Sequence, residues 1–138
     1  MGAATVLMAG ALPLPENVRG IVADCPYSSA KAILCKVCGE DMHLPAKAAW
    51  PLMVLGARLF GGFDIEEYSP IEAMERSTLP IIFFHGEGDD YVPCDMSREN
   101  FDACKTTKKL ITIPGAGHGL SYVLDPERYL SELQKFFP

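Results

Sequence analysis

Three short apolar runs, each bounded by turn-forming residues, set the rhythm of the chain. They are residues 18–23 (Val-Arg-Gly-Ile-Val-Ala), 80–84 (Pro-Ile-Ile-Phe-Phe) and 109–113 (Lys-Leu-Ile-Thr-Ile). None shows a sustained apolar-polar alternation. Such runs suit strands buried on both faces of a parallel sheet. Between them the apolar positions recur at helical spacing. Ile33, Leu34 and Val37 share one face of a helix expected over Ala30–Gly39. Met96, Phe101 and Cys104 do so over Asp95–Cys104, and Tyr129, Leu130, Leu133, Phe136 and Phe137 in a last helix. Small residues from Gly2 to Ala11 predict a further helix that packs closely on a sheet. Local signals mark the helix starts. Ser28 or Ser29 caps one, Ser69-Pro70 with Glu72 opens another, and Asp125-Pro126-Glu127 opens the last. Strands alternating with helices predict an α/β fold.

The segment Leu44–Phe63 is the most apolar and does not fit that alternation. Pro45 and Pro51 are expected to break it into a helix or helix pair inserted between strands. Its uncharged stretch Ala48–Ala57 is too short to span a bilayer, which takes about 20 apolar residues. Residues 27–70 are thus expected to form a helical, cap-like insertion within a single segment, 1–138.

Composition narrows the class. The 138 residues are 49% hydrophobic, enough for a real core, and the formal charge of −6 argues against a nucleic-acid surface. Five cysteines, an odd number, look like reduced thiols rather than a disulfide framework, and predict a cytoplasmic setting for this chain. Cys35-x-x-Cys38, with Cys25 and His43 as further donors, is a weak metal or redox signal. A lone pair of this kind lacks the second pair of a zinc site, and no metal or other cofactor is expected.

Candidate chemistry lies just beyond two of the strands. Asp89 and Asp90 follow the second strand, and His118 sits in the glycine-rich turn Pro114–Gly119 after the third. Open α/β sheets bind ligands outside the carboxyl ends of their strands. A carboxylate and an imidazole delivered there form the orienting half of a Ser-His-Asp relay.

The stretch His85-Gly86-Glu87-Gly88-Asp89-Asp90-Tyr91-Val92-Pro93 resembles the acid-bearing turn of the α/β-hydrolase superfamily, and Gly115-Ala116-Gly117-His118 resembles its histidine turn. The resemblance implies Asp89 as the acid and His118 as the general base, with Asp90 and Asp24 as rival acids. His85 would support the turn. It also implies a sheet continuing beyond residues 18–23, and a nucleophile in a Gly-x-Ser-x-Gly turn. Met1-Gly2 fits the last two positions of that turn, so the serine is expected one residue before Met1 and the chain is read as the C-terminal half of a hydrolase. The backbone N–H of Met1 would then be an oxyanion donor, while Trp50, Met53 and Leu120 would line the substrate pocket. The substrate class implied is a small-molecule ester, thioester or peptide. Taken alone, the chain is expected to be inactive and to self-associate through the sheet edge left open at residues 18–23. The alternative is a non-catalytic fragment or binding module that pairs with a separate N-terminal half.

Overall fold

A computed structural model describes residues 1–137. Its elements are α1 (Gly2–Ala9), β1 (Ile21–Asp24), α2 (Ala30–Lys36), α3 (Ala46–Gly56), α4 (Pro70–Arg76), β2 (Ile81–Gly86), α5 (Cys94–Ala103), β3 (Lys108–Ile113), α6 (Ser121–Leu124) and α7 (Pro126–Phe136). The strands form one parallel sheet in the order β1-β2-β3, in which Ile21 faces Ile81 and Phe83 faces Leu110.

β2 is the centre of the molecule, and all six of its residues are buried. Its side chains alternate between two cores. Ile81 and Phe83 pack with Leu7 of α1, Ala73 and Met74 of α4, and Ile21 and Ala23 of β1. Ile82 and Phe84 pack with Ile111 and Ile113 of β3 and with the α7 side chains Tyr129, Leu133, Phe136 and Phe137. The Phe84 and Tyr129 rings stack at 3.7 Å between centroids. Each large apolar side chain so buried contributes about 1.5–3 kcal/mol. Helices therefore cover both faces of the sheet, as the unbroken apolar run of β2 requires.

The caps lie where the sequence signals put them. Ser29 Oγ accepts from the Ala32 N–H, Ser69 Oγ from the Glu72 N–H and Asp125 Oδ1 from the Arg128 N–H. Strand limits shift. β1 starts at Ile21 because Val18 is held in a turn on the Pro15 carbonyl and pairing begins with the Ile21 N–H on Pro80 O. β2 runs on through His85 and Gly86, since both find partners in β3, at Thr112 and Ile113. Pro51 does not break its helix but lies inside α3. It withholds one donor from the carbonyl of Lys47, and Lys47 is on the exposed side of the helix, where water can satisfy that group. α6 had no sequence signal. The helical segments α2 and α3 each end in a π-type turn, Val37–Asp41 and Ala57–Gly61. Among the described residues, no helix is long and apolar enough to cross a membrane.

β1 is an edge of the sheet. Ile21 and Ala23 point into the core, whereas Val22 between them is 39% exposed. At the opposite edge, β3 opens with Lys108 and Lys109; Lys108 Nζ donates to the carbonyls of Phe101 and Cys104 at the end of α5, and Lys109 pairs with Glu132 of α7.

Candidate active site

The site forms where the tips of β2 and β3 are laced together. The Glu87 N–H donates to Ile113 O (3.0 Å) and the Gly88 N–H to Ala116 O (2.9 Å), binding the acid turn to the histidine turn. Contact is so close that a Cβ on Gly86 would lie 2.1 Å from Ala116 O; only glycine fits there.

Asp89 leaves this turn with its side chain fully buried. Its Oδ1 accepts the backbone N–H groups of Tyr91 (3.1 Å) and Val92 (2.8 Å), a local turn of the kind Asp favours. Its Oδ2 accepts from His118 Nδ1 at 2.8 Å and lies 3.3 Å from His85 Nε2. His85, fully buried, is itself fixed by Ser97 Oγ at Nδ1 (2.6 Å) and by Val92 O at Nε2 (2.8 Å). A carbonyl at Nε2 makes that nitrogen the donor, so the neutral ring accepts from Ser97. His85 thus ties the strand to the acid turn.

His118 follows β3 in a turn that closes through Gly119 at φ +68. With Nδ1–H committed to the carboxylate, Nε2 carries the lone pair; this tautomer is assigned from the partners. The side chain is 36% exposed and its ring meets Tyr91 edge-on at 5.2 Å. Asp90, beside Asp89, is exposed and offers its backbone carbonyl to Lys36 Nζ.

The tip of β1 reaches the same rim. Asp24 Oδ1 accepts from the hydroxyl of Ser121, which is wholly buried at the start of α6. Burial pushes the Asp24 carboxyl up, and the Ser121 hydroxyl partly offsets that. Ser121 is therefore turned to Asp24 and not to His118. The next residue, Cys25, has the left-handed backbone angle φ +50, and its Sγ lies 3.9 Å from His118 Nε2. Burial first, and then the Asp24 charge, push its thiol up to about 11, while the Gly119 N–H pulls the other way. This contact escaped the sequence reading, which treated Cys25 as a donor for Cys35 and Cys38. Its position directly after a strand tip was the available signal.

Cys25, Asp89 and His118 bring their donor atoms within 4.8 Å of one another; Cys35, Cys38 and His43 do not join them among the described residues. Both Asp89 oxygens already accept N–H groups, which leaves sulfur and Nε2 as open ligands. A closed structural zinc site needs four.

The other expected positions are dispersed. Met1 is 87% exposed before α1, and its carbonyl accepts the Thr5 N–H. Trp50 is buried, donates from Nε1 to Glu66 and borders a groove of about 440 Å³ with Val54, Leu55 and Arg58. Met53 packs its sulfur on Cys38, and Leu120 is exposed beside Gly119. A larger apolar cavity of about 610 Å³ lies between α1 and the 63–70 segment, lined by Met8, Leu12, Tyr27, Phe63 and Tyr68 among others. None of Trp50, Met53 and Leu120 lines it.

No known family model matches the sequence. The chain is 26% identical over 139 residues to the uncharacterized protein YqkD of Bacillus subtilis (strain 168), a match covering 99% of this chain and 45% of that protein. The chain thus spans less than half the length of this curated relative. Among solved structures, a puromycin-hydrolyzing peptidase from Mycobacterium tuberculosis superposes with a TM-score of 0.69 at 22% identity, over 98% of this chain and 20% of the other. MGS-M2, an alpha/beta hydrolase enzyme from a deep-sea metagenome library, gives 0.64 at 16% identity, over 99% and 62%. Esterases and a lipase superpose similarly. Over the residues it spans, the chain has the α/β-hydrolase fold.

Proposed function

We propose that these residues supply the acid and the base of a hydrolase that cleaves ester, thioester or amide bonds by a Ser-His-Asp mechanism. The observation that carries this reading is the 2.8 Å bond from His118 Nδ1 to a buried carboxylate, on a ring that is 36% exposed and whose Nε2 is free of any nitrogen or oxygen partner among the described residues. A serine hydroxyl within reach of Nε2 would pass its proton there as Oγ attacks the carbonyl carbon. Asp89 would hold the tautomer and stabilise the imidazolium; the imidazolium would then protonate the leaving group. Water would release the acyl group by the same route. No Gly-x-Ser-x-Gly turn occurs in the 138 residues, so the proposal assigns the serine to a part of the protein that precedes Met1, with the Met1 N–H as an oxyanion donor. In this proposal the segment 27–70 caps the rim, Leu120 beside Gly119 faces the substrate, and the chain alone does not turn over.

The test is to extend the chain upstream to the length of its relatives and assay p-nitrophenyl esters with and without His118→Ala. Turnover should fall by roughly 10³-fold or more in the variant. Unchanged turnover would overturn the proposal.

A second reading is favoured by the unpaired edge of β1, where Val22 is exposed. It makes the chain a binding module that pairs with a separately made N-terminal half or, without it, with a second copy of itself. Sedimentation should show a dimer or larger species, and a strict monomer would overturn that association. All five cysteines are free, which supports a reducing, cytoplasmic setting.

A further inference from the structure

We infer that Cys25 is an acyl-accepting thiol served by His118, so that the chain by itself takes one acyl group from an activated ester onto Sγ and keeps it. The inference rests on the proposed relay of Asp89 and His118 and adds to it a nucleophile within these residues. Three observations converge on the sulfur. It stands 3.9 Å from the lone-pair nitrogen of an imidazole whose other nitrogen is held by a buried carboxylate. It is carried by a left-handed residue at a strand tip, anchored through its own N–H to Phe84 O at 2.9 Å. The Gly119 N–H also favours its ionised form. Left-handed backbone at a non-glycine residue is costly, and such strain gathers at functional sites.

The step balances as a thiol acyl transfer. Sγ attacks the ester carbonyl carbon while its proton passes to His118 Nε2. The C–S bond forms, the C–O bond to the leaving alcohol breaks, and the imidazolium returns the proton to the departing oxygen or to solvent. The products are a thioester at Cys25 and the free alcohol. Burial and the Asp24 charge keep the thiol protonated at neutral pH, with a pKa of about 11. Attack therefore needs the imidazole, and this separates Cys25 from thiols that react because they are already ionised. Release of the acyl group is disfavoured. Pro26, the residue after Cys25, has no N–H to offer an oxyanion, which slows both acylation and release; with an activated ester the nitrophenolate departs far more readily than the Cys25 thiolate, so acylation outpaces hydrolysis. The thioester accumulates.

Cys35 and Cys94 are likewise only partly buried and serve as internal controls. The 138-residue chain is mixed with p-nitrophenyl acetate, nitrophenol release is followed, and the acetyl group is located by peptide mass spectrometry. The expected result is a burst of one equivalent with acetyl on Cys25, abolished in Cys25→Ala. In His118→Ala and His118→Gln, each with unchanged far-UV circular dichroism, the burst should slow by roughly a hundredfold, the usual contribution of a positioned base. The wild-type rate should level off well below pH 11. Acetyl appearing on Cys35 or Cys94 as fast as on Cys25, or a burst indifferent to both His118 variants, overturns the inference. If Cys25 stays unlabelled while the extended protein hydrolyses esters in a His118-dependent way, the inference fails and the relay stands. Loss of His118 dependence in the extended protein would remove the relay itself.

Discussion

Asp24 ends β1 and Asp89 lies in the turn after the neighbouring β2, on one rim, yet the two are solvated in different ways. Asp89 sits in a turn that presents two backbone N–H groups to one oxygen, with two imidazoles at the other. Asp24 has a hydroxyl from Ser121, and burial raises its carboxyl. The difference teaches that burial alone does not decide how a carboxylate is satisfied. A buried carboxylate needs donors built around it beforehand, and the Asp-x-x-Val spacing of residues 89–92 builds two of them from the chain itself.

The sharpest way to break this comparison is to neutralise each acid in the extended protein. Asp89→Asn should cost roughly 10⁴-fold in turnover, because the amide no longer selects the right imidazole tautomer. Asp24→Asn should leave turnover within a few-fold. Equal losses would mean that both strand tips serve the chemistry.

A smaller effect is expected at the contact between the two turns. Gly86→Ala places a methyl against the Ala116 carbonyl and should destabilise the fold by about 1–3 kcal/mol in denaturant unfolding. An unchanged midpoint would mean that the turns part freely.

The smallest effect concerns Asp24 and pH. Its folded-state pKa is raised, so the fold prefers the neutral carboxyl. That contribution is complete in acid and is lost as pH rises through the raised value. Asp24→Asn, whose side-chain oxygen can still accept from Ser121, should therefore raise Tm at about pH 7 and leave it nearly unchanged at about pH 3. A variant that melts lower at neutral pH would show that the Asp24 charge stabilises the fold.

Much of this was legible in the sequence where one local cue has one physical outcome. The apolar run at residues 80–84 had to be a strand buried on both faces, and Ser69, Asp125 and one of Ser28 and Ser29 had to cap, because few other roles suit those residues there. That Asp89 and His118 meet was readable because each follows a strand of a parallel sheet, which sends both to one end. What the sequence hid depends on contacts between distant segments. Cys25 meets His118 across 93 positions, and Ser121 meets Asp24 across 97. No periodicity encodes such meetings. Pro51 misled because its penalty depends on whether water reaches the carbonyl it abandons.

The open side of β1 also limits how copies of the chain could assemble. Pairing β1 of one molecule with β1 of another uses both surfaces at once, so it closes as a twofold dimer and stops. Pairing β1 with the far side of β3 would leave a fresh surface at each end and grow into a filament. On that far strand Lys108 is turned to the α5 carbonyls and Lys109 to Glu132, and an incoming copy would have to cover these polar groups, which opposes the endless arrangement.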